Sequence, residues 1–564
     1  MKKIIYLLVI GCIGLTACSD LDLVPLAQGS SENWNTSETE IEMSLNDLYK
    51  MSFWTIDSKK WTDDYTYRET NQAIVDGTLN GQDASVTSLW SNQYKCIARA
   101  NTVINKIKEG ETEGVSQEKL DLLLAEAYFH RAAAYSKLAC KFGDVPLVTD
   151  VLDIETAFTY GRTPLSDVKA LIYEDFDKAA AVLPAVYKGK QRASKGAALA
   201  LKARFALYMS DYDIAATAAK AVIDSKAYTL HTDFADLFLT KTHNAEESIF
   251  VIPRSIENDV YLNPSVVKNA ITRNTGGWTA EDPSWDLLAA YTCTDGKPID
   301  ESPLFDSHEP FKNRDPRLSE TIVPFNSQWL GFDYTPHPEA LEVMNYNTGN
   351  LQKNNDTRAN AQYASFNGLA WKKGIDETWL ENGMKVAPDL IYIRYAEVLL
   401  IYAEAKIELN QIDASVLNSM NQVRARAYGV SVDATDQYPS FTTMDQTELR
   451  KQLRVERRME FAEEGLRYMD LVRWHQAEIS LTRKNYGLIY PSSLLIEKVT
   501  SQGDWFWSKA PNIDENGLPD FSNLEAAGKV AVLSERHWDN RQYLWPIPTS
   551  EILINTNMKQ NDGY

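Results

Sequence analysis

The segment from Glu456 to Arg467, ERRMEFAEEGLR, limits what this chain can fold into. Glu456, Glu460 and Glu464 recur every four residues, with Glu463 beside them and Arg454, Arg457, Arg458 and Arg467 interleaved. On one helical face such acids repel unless cations stand between them. The segment therefore reads as a cross-linked helical hub, with Gly465 where one helix stops and the next begins. Upstream, Ile393, Ala396, Leu400, Ala403 and Ile407 draw an apolar helical stripe. A shorter amphipathic piece follows and closes at Gly429. The acids of the hub need cations from neighbouring helices, and Arg424 or Arg394 is expected to supply one. Each acid has an arginine within a helical turn, which depresses its pKa and makes it a poor proton donor. A glycosidase could be built from two carboxylates, but these read as structural.

Three stretches carry a family resemblance: RYAEVLLIYAEA, ERRMEFAEEGLRYMDLVRW and the closing LWPIPTSEILINTNMKQNDGY at 544–564. Together they resemble the SusD/RagB family, glycan-binding lipoproteins on the outer surface of Bacteroidetes-type bacteria. FHRAAAYSKLACKFGDVPLV, GAALALKARFALYMSDYDIAATAAKAVIDS and AEESIFVIP resemble its N-terminal half more weakly, and Asn313 to Leu318 (NRDPRL) a family motif with a structural role. The resemblance implies a right-handed scaffold of tetratricopeptide-like helix pairs. It also implies delivery of captured oligosaccharide to a SusC-like TonB-dependent transporter. Members of the RagB type make peptide or glycoprotein capture the alternative. The family's binding aromatics vary with ligand, so it fixes no individual contact.

The rest of the chain fits an all-α scaffold interrupted by long irregular insertions. Lys2 and Lys3 precede an apolar run, Ile4 to Leu15, shorter than the roughly 20 residues needed to span a bilayer. Leu15-Thr16-Ala17-Cys18 then matches a lipoprotein cleavage box. Residues 1–17 are thus expected to be a signal peptide, and Cys18 the lipidated anchor that holds the protein on the outer membrane. Residues 18–227 read as an N-terminal helical region, with helices over 85–109, 117–141, 165–183, 195–209 and 214–224. Alanine-rich faces at Ala197, Ala200, Ala203, Ala215 and Ala219 permit close helix pairs. Residues 228–385 form a loop-rich insertion, 386–480 the hub, and 481–564 a second insertion with the closing segment.

With a formal charge of −21 and no basic stripe, the chain is a poor nucleic-acid partner. Seven histidines are scattered without ligand spacing, and no HExxH, GxGxxG, GxSxG or phosphate-loop pattern occurs. Asn512-x-Asp514-x-Asn516-Gly517 faintly resembles a calcium loop, but Asn523 stands where the closing glutamate belongs. No other cofactor or metal is expected, and no enzymatic activity. Cys96, Cys140 and Cys293 should be free thiols, Asn101 an interhelical hydrogen bonder, and Trp90 and Trp474 core residues.

A glycan site needs flat aromatic faces for sugar C–H surfaces and polar side chains for their hydroxyl rims, on loops held by a scaffold. Two segments have that makeup. Trp61, Asp63, Asp64, Tyr65 and Arg68 lie in one; Trp278 and Trp285 lie in the other. No helical stripe demands burial of these aromatics, so all seven residues are expected at the ligand face.

Overall fold

The computed structural model describes residues 34–564 apart from 69, 70, 111 and 113. The expected signal peptide, residues 1–17, and Cys18 lie outside the described residues. Helices carry the scaffold, at 41% of the chain against 10% strand. The principal ones are α1 (Glu38–Asp47), α2 (Ala84–Lys108), α3 (Gln117–Phe142), α4 (Leu165–Val182), α5 (Lys195–Tyr208) and α6 (Tyr212–Ser225). After the first insertion come α7 (Tyr395–Glu408), α8 (Ala414–Ala427), α9 (Gln446–Glu460) and α10 (Arg467–Arg473).

Local chemistry sets these limits. The Asp83 carboxylate accepts from Ser85 N–H at the start of α2, and Ser116 caps α3. Gly143, at φ 71°, takes α3 into the turn before Pro146. Each helix packs on its chain neighbour from α2 through α8, and α7 also contacts α5 and α9. This is the stacking of antiparallel pairs expected from the alanine faces. Ala197, Ala200, Ala203, Ala215 and Ala219 are all fully buried. Asn101 is buried too, accepting from Arg131 of the next helix at 2.9 Å and donating to Val148 O at 3.0 Å. Trp90 and Trp474 are core residues, and Cys96, Cys140 and Cys293 are free thiols. Among the described residues no helix is long and apolar enough to cross a membrane.

The insertions are less irregular than their composition suggests. Strand β2 (Ser248–Ile252) pairs antiparallel with β8 (Leu390–Arg394), so everything between them leaves and returns at one place. That excursion holds a four-stranded antiparallel meander, β4 (Ser327–Trp329), β5 (Phe332–Tyr334), β6 (Glu342–Asn345) and β7 (Asn350–Lys353). It also holds a second hydrophobic core, shared with the second insertion. Trp285, Leu288, Leu318 and Trp371 pack there with Phe506, Trp507 and Phe521, and Met459 of α9 closes the base. Alternation and helical period are weak in short strands and single buried aromatics, which is why this core is invisible in the sequence.

At the hub the acids find their cations. Arg424 reaches Glu456 at 2.7 Å; Arg394 reaches Glu460 and Glu464, both at 2.7 Å. Three further partners come from elsewhere. Arg317 of the Asn313–Leu318 motif bridges Glu456 and Glu460, Arg426 pairs with Glu460 and Glu247, and Lys373 holds Glu464. Burial alone would raise the Glu460 carboxyl, but Arg426, Arg394 and Arg317 outweigh it and hold it far below the usual range. Since Glu247 precedes β2 and Arg394 ends β8, this network also pins both ends of the first insertion.

Candidate ligand face

The two aromatic segments singled out above meet in the fold. Strand β1 (Tyr65–Tyr67) pairs antiparallel with β3 (Glu281–Pro283), with Tyr67 opposite Glu281. This pairing brings Arg68, just after β1, beside Trp278, just before β3. Trp278 is 38% exposed. Its loop is tied to the helix Pro264–Ala270: Trp278 N–H donates to Lys268 O at 2.6 Å and Ala280 N–H to Asn269 O at 2.9 Å. Gly277 makes the approach possible, since a Cβ there would lie 2.2 Å from Ile271 O.

A third segment completes the face. Tyr363, 54% exposed, stands on a loop fixed to β3 from below. Ser365 Oγ donates to Asp282 at 2.9 Å, and Asn367 Nδ2 donates to Pro283 O at 2.7 Å. Arg68 and Arg273 each donate from Nη1 to the carbonyls of both Trp278 and Tyr363, at 3.2–3.3 Å. The two rings are therefore held on one rigid frame. Arg68 also lies over the Tyr363 ring at 5.5 Å, and Lys268 over the Trp278 ring at 5.7 Å. Further along, the Arg358 guanidinium sits 4.1 Å from the ring centres of both Phe366 and the exposed Tyr490. It donates from Nε to Gln362 O at 3.3 Å, next to Tyr363.

Of the seven residues expected at this face, Trp278 and Arg68 are on it and five are placed otherwise. Trp285 is 1% exposed, and its Nε1 donates to Asn367 O at 2.8 Å while its ring packs on Phe506 at 5.2 Å. It is a pillar beneath the Tyr363 loop, too enclosed to meet a sugar. Asp63 and Asp64 are buried counter-ions of the hub. Asp63 takes Arg467 at 2.8 Å and Arg458 at 3.0 Å, and Asp64 takes Arg458 at 2.7 Å. Burial works against the charge on Asp63, yet Arg458 and Arg467 hold its carboxyl well below the usual range. Tyr65 is buried on β1, 6% exposed. Trp61 is half-buried, edge-on to Tyr468 at 5.5 Å and Trp545 at 5.3 Å. A polar, aromatic loop has the same composition whether its polar groups face a ligand or arginines from distant helices. Tyr363, Arg273, Arg358 and Tyr490 belong to this face as well, and their only signal in the sequence is aromatic and arginine content within the insertions.

Asp514, the central residue of the calcium-like segment, is occupied by its own chain. It accepts from Asn516 N–H at 2.8 Å and Leu518 N–H at 2.9 Å and is paired with Arg483. Among the described residues no group of three or more His, Cys, Asp or Glu is placed to hold a metal ion.

Stacked helix pairs that carry an aromatic loop face define a scaffold-and-platform binding protein. Family models place it further: the SusD family model matches residues 246–564, and one described as starch-binding, associating with outer membrane, matches residues 24–207. The chain belongs to the SusD family. SusD-like protein P2 of Formosa agariphila is 25% identical with 100% of both chains covered, and a SusD-like protein of Bacteroides ovatus is 24% identical, covering 98% and 95%. Among solved structures, a SusD-like carbohydrate binding protein from Bacteroides fragilis is 28% identical, with a TM-score of 0.75 over 93% of this chain and 99% of the other. A laminarin binding SusD-like protein shares the fold, with a TM-score of 0.58, 21% identity and coverage of 94% and 100%.

Proposed function

We propose that this chain is a glycan-binding lipoprotein of the outer-membrane surface. It captures oligosaccharide at the Trp278–Tyr363 platform and delivers it to a SusC-like TonB-dependent transporter. The observation that carries this reading is the pair of exposed rings braced by two arginines on a rigid frame. Sugar C–H faces stack on such rings, and the guanidinium and carbonyl groups around them suit hydroxyl rims. Family membership and the carbohydrate-binding relatives support the same ligand class. Hydrolysis has no comparable support: Glu456, Glu460 and Glu464 are held by buried arginines, and Glu463, whose pKa burial raises contrary to the expected depression, is paired with Lys59.

A glycan and peptide array on the soluble domain, followed by calorimetry, tests the reading. Trp278→Ala and Tyr363→Ala are each expected to weaken binding of a glycan hit by about 1–3 kcal/mol, by analogy with stacking on bases. Their melting curves should barely move, since exposed rings store little folding energy. Array hits confined to peptides would favour the peptide-capture alternative. New reducing ends released from a polysaccharide panel would favour a hydrolase.

Anchoring is tested separately. Cys18→Ala is expected to give a folded protein that no longer fractionates with outer membranes in cells lacking the transporter. Full retention in that fraction would refute lipidation at Cys18.

A further inference from the structure

Cations crowd the platform although the chain as a whole is strongly acidic. Arg68 and Arg273 come from different segments and reach the same two carbonyl oxygens. Two guanidiniums at that spacing repel. Burial lowers the Arg273 pKa first, and Arg68 lowers it further. Neutral carbonyls offset this only in part, and Arg273 Nε is enclosed without an acceptor. Among the described residues no carboxylate oxygen lies within 4.0 Å of the charged groups of Arg68, Arg273, Lys268 or Arg358, although Asp356 favours the charge on Arg273 from farther off and Arg68 acts on Asp282.

The acids nearby are either paired with lysines or buried beneath the face. Glu281 is held by Lys60 at 2.7 Å and Lys59 at 3.7 Å. Asp356 is buried and accepts from Arg273 N–H at 2.6 Å. Asp282 is buried beneath the platform, where desolvation pushes its carboxyl up to about 8 against the opposing pull of Ser365 and Arg68. Glu69, next to Arg68 in sequence, lies outside the described residues. The face therefore pairs exposed rings with four cations that make no direct ion pair with a described carboxylate and are only partly offset by the buried Asp356 and Asp282.

Building on the glycan-binding reading above, we propose that the platform selects anionic glycans, receiving a sulfate or uronate group between Arg68 and Arg273 while a sugar ring stacks on Trp278 or Tyr363. Guanidinium forks match the geometry of oxyanions and bind them by charge-assisted hydrogen bonds. Lys268 and Arg358 extend the positive field along the face. The net charge of −21 disfavours non-specific attachment of a polyanion, so binding must rest on local cations such as these.

Calorimetry with charge-matched probe pairs tests the proposal. One pair is κ-carrageenan oligosaccharides and their desulfated twins; the other is oligogalacturonides and their methyl esters. At least one charged probe is expected to bind at least about tenfold more tightly than its neutral twin. That preference should shrink as NaCl rises from about 50 to about 500 mM. The pair that shows it tells sulfate from carboxylate recognition. Arg68→Gln with Arg273→Gln should abolish the preference, whereas Arg68→Lys, which keeps the charge, should retain part of it. Melting curves of the variants separate lost charge from a lost fold. Equal binding of both twins, weakened by Trp278→Ala, would overturn the charge selectivity and leave the glycan platform standing. Failure of both charged probes to bind would also overturn the selectivity. Binding insensitive to Trp278→Ala and Tyr363→Ala alike would overturn the platform itself.

Discussion

Glu460→Ala is expected to destabilise the folded chain by about 3–5 kcal/mol, the cost of breaking a buried ion pair. The charge count at the hub explains why the loss should be that large. In the connected network around Glu460, separate from the Asp63 and Asp64 pairs with Arg458 and Arg467, five acids (Glu247, Asp315, Glu456, Glu460 and Glu464) face five cations (Arg317, Lys373, Arg394, Arg424 and Arg426). Glu460 alone touches three of the arginines. Removing it leaves a net positive charge in an interior closed to water, and no neighbouring acid is free to compensate. Urea unfolding at neutral pH should show the loss as a lower midpoint.

The pH dependence of that loss has a definite sign. The folded Glu460 carboxyl lies far below its unfolded value of about 4.3. Its contribution is therefore fully present above about pH 4.3 and disappears as the pH falls toward the folded value. The stability gap between the native chain and Glu460→Gln should narrow progressively in acid below that point. A gap that stays constant down to pH 3 would show that Glu460 is not held as a charged group.

Trp285→Ala should cost about 3–5 kcal/mol as well, by a different mechanism. The indole fills the second core against Phe506, Trp507 and Phe521, and its N–H holds Asn367 O. Truncation leaves a cavity and frees the loop that carries Tyr363. This variant should thus lose both stability and ligand affinity, whereas Trp278→Ala, seven residues earlier, should lose affinity alone. A Trp285→Ala protein that melts like the native chain would place the indole outside the core.

These two tryptophans mark the limit of what is legible from residue order. Both lie in polar, turn-rich sequence, and nothing local distinguishes them. Their fates diverge because β3 turns into a short helix at Ser284, which points Trp285 inward under aromatics supplied some 220 residues later. Asp63 and Asp64 teach the same lesson. Their loop composition suits a sugar site, yet Arg458 and Arg467 arrive from α9 and α10 to take both carboxylates.

By itself the amino-acid order determined whatever rests on short-range periodicity. That includes the helices near 85–109, 117–141, 165–183, 195–209 and 214–224, their alanine contacts and the need of Glu456, Glu460 and Glu464 for arginine partners. Helical period and glycine stops act within a few residues, so they survive in one dimension. Tertiary structure alone decided that Arg317, Arg426 and Lys373 would join the hub. It also decided that the two insertions would share a core, and that Trp278, Tyr363, Arg68 and Arg273 would meet on one face. Those outcomes depend on contacts between residues far apart in the chain, where burial and charge pairing are set by the partner rather than by the neighbours in sequence.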